Sequence, residues 1–142
     1  MDLSIREAVA SDMKRVLELI QELATFEKEP DAVEVTEKDL IDSLTAEQPL
    51  FTCFVAEVNG VVQGMALCYL RYSTWKGPTV HLEDLIVTQS LRGKGVGKAL
   101  YSAVMRHAFN KKVRRVEWVV LDWNKNAIEF YESTGAAVDA RY

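Results

Sequence analysis

Residues 82–100, LEDLIVTQSLRGKGVGKAL, hold two kinds of chemistry in one short stretch. Glu83 and Asp84 supply carboxylates, which bind cations and accept protons. Arg92-Gly93-Lys94-Gly95-Val96-Gly97-Lys98 is a glycine loop interleaved with cations. Alternating glycines let the backbone approach a ligand closely and turn several N–H groups toward one point, and a helix that starts there adds its positive end. The pattern is an anion cradle suited to phosphate. It is not a Walker loop, because Gly93 and Gly97 enclose three residues and Lys98 precedes Ala99. Nor is it a dinucleotide fingerprint, because Gly95-Val96-Gly97 is followed by Lys98, Ala99 and Leu100. A plain surface turn would account for the glycines but not for the cations beside them.

The surrounding elements must hold these groups in place. LSIREAV alternates as a strand, and Ser11 opens a helix whose apolar positions Met13, Val16, Leu17, Ile20 and Leu23 follow helical spacing. Pro30 ends it, and Thr36 opens a second helix to about Leu44, with Thr36 and Asp39 forming a capping box. LFTCFVAEV and VVQGMALCYLRY flank Asn59-Gly60, the strongest short hairpin signal, and therefore pair antiparallel. STWKGP turns the chain into the strand TVHLEDLIV. After the glycine loop comes a helix from about Gly95 to Asn110 with Val96, Leu100, Val104 and His107 on one stripe, then the strand VRRVEWVVL. Asn124 caps a last helix that stops at Gly135. The order β-α-α-β-β-β-α-β-α predicts one α/β domain over residues 1–142: a mixed, mostly antiparallel central sheet flanked by helices.

Composition narrows the functional classes. The chain has 142 residues, 49% of them apolar and 27% charged, as in an ordinary soluble domain. No apolar run approaches the roughly 18 to 20 residues of a membrane span, and MDLSIREAVA lacks a basic-then-apolar leader, so a cytoplasmic protein with no membrane partner is expected. Cys53 and Cys68 lie in apolar strands and read as buried, reduced thiols, too few for a metal cluster. The net charge of −4 divides unevenly: residues 1–60 hold 14 acidic and 5 basic side chains, and residues 61–142 hold 7 and 12. One half suits a cation and the other an anion, although solvated helix faces would give the same asymmetry. The acidic first half and a pI of about 5.2 argue against a nucleic-acid partner.

Arg92 through Gly97, preceded by the strand LEDLIV, resembles the acyl-CoA motif of the GNAT N-acetyltransferases, and the predicted element order is similar to that fold over nearly the whole chain. IQELATFEKEPDAVEVTEKDL, STWKG, LEDLIV, RGKGVGKAL, LDWNKNAIEFY and GA further resemble, in order and spacing, the spermidine/spermine N1-acetyltransferase and thialysine acetyltransferase subfamily. The resemblance implies acetyl-CoA as co-substrate, no metal, a small-molecule amine as acceptor and a homodimer. It implies backbone contacts to the acetyl and pantetheine portion from Leu85, Ile86 and Val87. The pyrophosphate would lie on N–H groups from Arg92 and Gly93 through Lys94, Gly95, Val96 and Gly97 to Lys98. Asn124, Lys125, Asn126 and Ala127 match a segment that contacts the coenzyme arm. Tyr131 matches a general acid, Glu83 a substrate-contacting carboxylate suggested as base through water, and Phe26-Glu27 an aromatic-acidic pair at the amine site. Members of that family continue into a closing strand where this sequence reaches Tyr142.

The residues themselves set terms for such chemistry. An alkyl ammonium with a pKa near 10.4 needs roughly 4 to 5 kcal/mol to become a nucleophilic amine at neutral pH. A carboxylate within reach, directly or through water, binds the cation and relays the proton. Strand alternation sends Glu83 and Asp84 to opposite faces, and the family match assigns the cleft to Glu83, leaving Asp84 as a structural anchor. A phenol near pKa 10 is a weaker acid than a thiol near 8.5, so Tyr131 is expected to stabilise a departing thiolate chiefly by hydrogen bonding. His81 and His107 match no family role and read as structural. Glu27, Glu29, Asp31 and Glu34 suit a polycationic substrate or a solvated acidic loop. Two other readings keep the fold: acetylation of an amino acid, an antibiotic or a protein N-terminus, and a non-catalytic acyl-CoA-binding domain.

Overall fold

A computed structural model describes residues 1–137; the tail from 138 to 142 lies outside the described residues. Among the described residues five strands form one sheet in the order of the sequence, β1 (Leu3–Glu7), β2 (Thr52–Val58), β3 (Val61–Ser73), β4 (Gly77–Val87) and β5 (Val116–Glu117). The first three pairings are antiparallel and β4 with β5 is parallel. The described residues also form four α-helices, α1 (Met13–Phe26), α2 (Glu37–Thr45), α3 (Val96–Asn110) and α4 (Lys125–Ser133). The mixed, mostly antiparallel sheet and the element order match the expectation from sequence.

Local chemistry explains most boundaries. Asn59 and Gly60 both take positive φ, at 53° and 82°, which the tight β2–β3 turn requires. Thr36 Oγ1 accepts from Asp39 N while Asp39 Oδ2 accepts from Thr36 N, closing the box ahead of α2. Asn124 Oδ1 accepts from Ala127 N, and Gly135 leaves α4 at φ 91°. Ser11, in contrast, caps nothing. A 3-10 turn over Ala10–Asp12 leads into α1, and it is Asp12 that accepts from Val9 N. Arg6 grips the same carboxylate with two nitrogens at 2.8 and 3.0 Å, tying β1 to the helix entry and holding the Asp12 carboxyl below its ordinary range.

The sheet has an apolar layer on each face. On one side Leu100, Val96 and Val104 of α3 meet Ala66, Cys68, Val80 and Leu82; on the other Val16 and Leu19 of α1 meet Val55, Met65 and Ile86. Each such buried aliphatic contributes about 1.5 to 3 kcal/mol. His107 is half-buried, edge-on to Phe54, and Ala108 takes the fourth core position on the α3 stripe. The close approach of α3 depends on Gly64, where a Cβ would sit 2.9 Å from Ile86 O and 3.2 Å from Leu100 Cδ1.

Two departures from regular strand geometry shape the site. The predicted strand VRRVEWVVL pairs only through Val116 and Glu117, opposite Val80 and His81, and the chain then leaves β4. Next to that point the β3–β4 register slips: Cys68 faces Leu82, Leu67 faces Asp84, and Glu83 has no opposite number. Glu83 is the extra residue of a β-bulge, a feature that bends and twists the strand carrying it.

Candidate active site

The bulge overturns the expectation that Glu83 and Asp84 face opposite ways. Leu82 and Leu85 both pack in the α3 layer although they are three residues apart, which unbroken alternation forbids. Both residues between them are thereby displaced from that layer. Glu83 and Asp84 both line a cleft between β4 and the segment 118–120 that has parted from it. Leu23 from α1 and Glu27 just after it, with Asn124 capping α4 and Ala127 and Tyr131 within it, complete its walls.

Three carboxylates therefore share one partly enclosed space, and the proton affinities of Asp84 and Glu27 reflect it. Burial, followed by the charges of Glu83 and Glu27, pushes the Asp84 carboxyl up to about 6. Burial also raises Glu27. Burial first and the Asp84 charge second push the Tyr131 phenol up to about 12. Tyr131 is set among aromatic rings, with Trp118 at 4.8 Å and Phe130 at 5.2 Å between centroids. Among the described residues that line the cleft none carries a positive charge. A cationic guest would relieve all three carboxylates.

The same strand also offers hydrogen bonds. Beyond His81 no strand among the described residues lies beside the β4 edge, so alternate backbone groups of the segment through Leu85, Ile86 and Val87 face the opening. The anion loop follows directly. Gly93 and Gly95 take φ of 77° and 85°, and Gly95 stands at the N-cap of α3. The first helical bond there is Ala99 N to Gly95 O, which leaves the N–H groups of Val96, Gly97 and Lys98 at the helix mouth. Lys94 and Lys98 are exposed beside them, whereas Arg92 turns back, its Nε donating to Val87 O and its guanidinium over the Phe26 ring at 5.1 Å. On α4, Asn124 spends its side chain on the helix cap, Ala127 reaches the cleft, and Lys125 and Asn126 are exposed away from its lining.

The structure separates the Phe26-Glu27 pair. Glu27 lines the cleft, but Phe26 lies over a second concavity, between α1 and the anion loop, and touches Trp123 at 5.7 Å. Glu29, Asp31 and Glu34 are exposed. Sequence reasoning gave no role to Glu22, whose carboxylate accepts from Gln89 N at 3.0 Å and Thr88 Oγ1 at 3.1 Å and so ties α1 to the loop entry. It also placed Asp84 outside the cleft. The spacing Val80, Leu82, Leu85, Val87, all in one layer, is the signal that could have revealed the bulge. Among the described residues no group of three or more His, Cys, Asp or Glu is arranged to hold a metal ion, and no helix is long and apolar enough to cross a membrane.

An opened mixed sheet of this kind is the fold of N-acetyltransferases: the aminoglycoside N-acetyltransferase AAC(6')-Iy, solved in complex with CoA, matches with a TM-score of 0.80 at 22% identity, over 99% of this chain and 91% of its own. Sequence likeness goes further. The thialysine N-epsilon-acetyltransferase of Bos taurus is 39% identical over 140 residues, 93% of this chain and 82% of that protein. The L-ornithine N5-acetyltransferase of Arabidopsis thaliana is 43% identical over 79 residues, 55% of this chain and 35% of that protein. With the acetyltransferase (GNAT) profile matching residues 13–136, the chain belongs to the GNAT family and is an N-acetyltransferase.

Proposed function

We propose that this enzyme moves the acetyl group of acetyl-CoA directly to a primary amine of a small cationic substrate: a polyamine, a diamine or a lysine-like amine. The observation that carries the reading is the bulge at Glu83, which sets Glu83 and Asp84 beside Glu27 in a cleft whose described lining holds no positive charge. The relatives named for thialysine and ornithine acetylation point the same way. In this reading the β4 edge at Leu85 to Val87 and the amides at the head of α3 hold the coenzyme, with its pyrophosphate on the loop. The ammonium enters among the carboxylates. Glu83 takes its proton, directly or through water, and the neutral nitrogen attacks the thioester carbonyl. The C–N bond forms as the C–S bond breaks, the thiolate leaves, and the second proton on the acylated nitrogen passes to that thiolate or to solvent.

Tyr131 serves that departure by hydrogen bonding. With its phenol at about 12 and the thiol near 8.5, full proton transfer to sulfur would run uphill by about 5 kcal/mol. A donated hydrogen bond needs no such transfer. The test is acetyl-CoA consumption against mono-, di- and polyamines and free lysine analogues, with Glu27→Gln in parallel. The expected enzyme uses substrates with two or more positive charges best, and Glu27→Gln weakens those more than monoamines. Tight CoA binding with no amine acetylated would support the non-catalytic alternative, and equal use of monoamines would remove the argument from charge.

A further inference from the structure

Polar groups also gather around a buried histidine just beyond the cleft, where β3, β4 and β5 run side by side. His81 is only 7% exposed, its ring 5.3 Å from that of Tyr69. Its two nitrogens meet different partners. Nδ1 is 3.1 Å from an Arg71 guanidinium nitrogen and 3.6 Å from Glu117 Oε1, while Nε2 is 3.8 Å from Glu83 Oε1. Arg71 in turn lies 3.0 Å from Glu117 Oε1, and Arg115 Nε lies 2.9 Å from Glu117 Oε2. A guanidinium only donates, so the Arg71 contact is a hydrogen bond when Nδ1 offers its lone pair, and in that neutral tautomer the proton sits on Nε2. That nitrogen faces Glu83. The Tyr69 hydroxyl donates to the same Glu83 oxygen at 3.0 Å.

We propose that His81 is a positioning residue for Glu83: fixed by Arg71 in the Nε2–H tautomer, it joins Tyr69 in holding Glu83 Oε1 and leaves Oε2 to meet the amine. Glu83 needs such restraint. Its side chain is 52% exposed, and the bulge removes its backbone from register with β3. A glutamate so placed spreads over many rotamers unless donors fix it. At 3.8 Å the Nε2 contact is longer than a hydrogen bond, and a shift of about 1 Å in the Glu83 side chain closes it. The charged and titratable groups facing His81 are Tyr69 and Arg71 on β3, Glu83 on β4 and Glu117 on β5, with Arg115 behind Glu117. The inference rests on Glu83 being the carboxylate that meets the amine.

Two measurements on the full chain test it. Long-range proton–nitrogen spectra of the ¹⁵N-histidine-labelled protein at pH 8, assigned with a His107→Gln variant, report the tautomer without any substrate. The Nε2–H pattern is expected for His81, with loss of that preference in Arg71→Leu; an Nδ1–H pattern overturns the proposal. The kinetic arm uses the best amine of the panel. His81→Phe lowers kcat/KM about tenfold with CoA affinity unchanged. His81→Gln, whose amide nitrogen falls near the Nε2 position, recovers most of that loss. In a Glu83→Gln background, His81→Phe costs less than about twofold. A loss that persists in that background, or that Gln does not recover, overturns the positioning role alone. Undiminished turnover in Glu83→Gln by itself overturns the underlying reading of Glu83, and the role of His81 with it.

Discussion

Asp84 carries the largest measurable consequence of the bulge. Burial and the neighbouring carboxylates move its carboxyl from an ordinary 3.8 to about 6. At 1.36 kcal/mol per pH unit the ionised form is about 3 kcal/mol less favourable in the folded protein than in the unfolded chain, and solvent at the cleft mouth reduces this to about 2 kcal/mol. Because the folded state binds the proton more tightly, the associated stability is present below about pH 4 and is lost as pH rises through about 6. Asp84→Asn removes the charge and keeps the shape. Urea denaturation of both proteins between pH 4 and pH 8 reads the difference: within about 0.5 kcal/mol at pH 4, and about 2 kcal/mol in favour of the variant at pH 8. In thermal unfolding at pH 8 the variant gains about 6 °C. Under the proposed function the same variant uses cationic amines poorly, since the charge that costs stability is also one offered to the ammonium. An equal gain at both pH values, or a variant less stable at pH 8, would refute burial and charge repulsion as the forces acting on Asp84.

Other consequences follow from single contacts. Tyr131→Phe should lower kcat by about 10- to 100-fold in steady-state assays and leave the KM for acetyl-CoA unchanged; unchanged turnover would remove the phenol from the reaction. Gly64→Ala forces a Cβ to within 2.9 Å of Ile86 O, and a loss of about 1 to 3 kcal/mol in urea denaturation is expected. No loss would mean that α3 and β4 part without cost. At Gly95 a Cβ would meet nothing within 4 Å, so Gly95→Ala acts through its φ of 85° alone, costing about 1 to 2 kcal/mol. Relief of that strain reorients the amides at the head of α3, which calorimetry should detect as weaker CoA binding.

The element order is legible in the sequence because most boundaries carry their own local chemistry: Asn59-Gly60, the Thr36–Asp39 box, the Asn124 cap and Gly135. Ser11 shows the limit of such signals, since Asp12 one residue later has both Val9 N and Arg6 to bond and takes over the helix entry. Strand parity is harder to read. A two-residue period holds only while the ladder is intact, and one inserted residue at Glu83 inverts the expectation for Asp84 without altering composition. Pairing is also a property of two strands. VRRVEWVVL has strand composition throughout, yet Trp118 to Val120 lie alongside a β4 that has already bent away. The Phe26-Glu27 pair parts because adjacent residues at a helix end point in different directions, one toward Arg92 and the other into the cleft.

The bulge and the opening have a common origin. The last β4–β5 pair is His81 with Glu117, and the inserted residue comes two positions later. A bulged strand turns more sharply than a regular neighbour follows, so the irregularity that swings Glu83 and Asp84 together also separates β4 from residues 118–120. One extra residue thus supplies both the acidic lining and the space it lines. The consequences run against stability: among the described residues a strand edge without a ladder, and the Asp84 and Glu27 carboxylates in partial burial. Features that each cost folding energy are tolerated together where a ligand offsets them. A coenzyme arm would satisfy the open edge of β4, and an ammonium would satisfy the carboxylates. Under the proposed function, the two guests that would complete the fold's unmet interactions are the two that the reaction must bring within bonding distance.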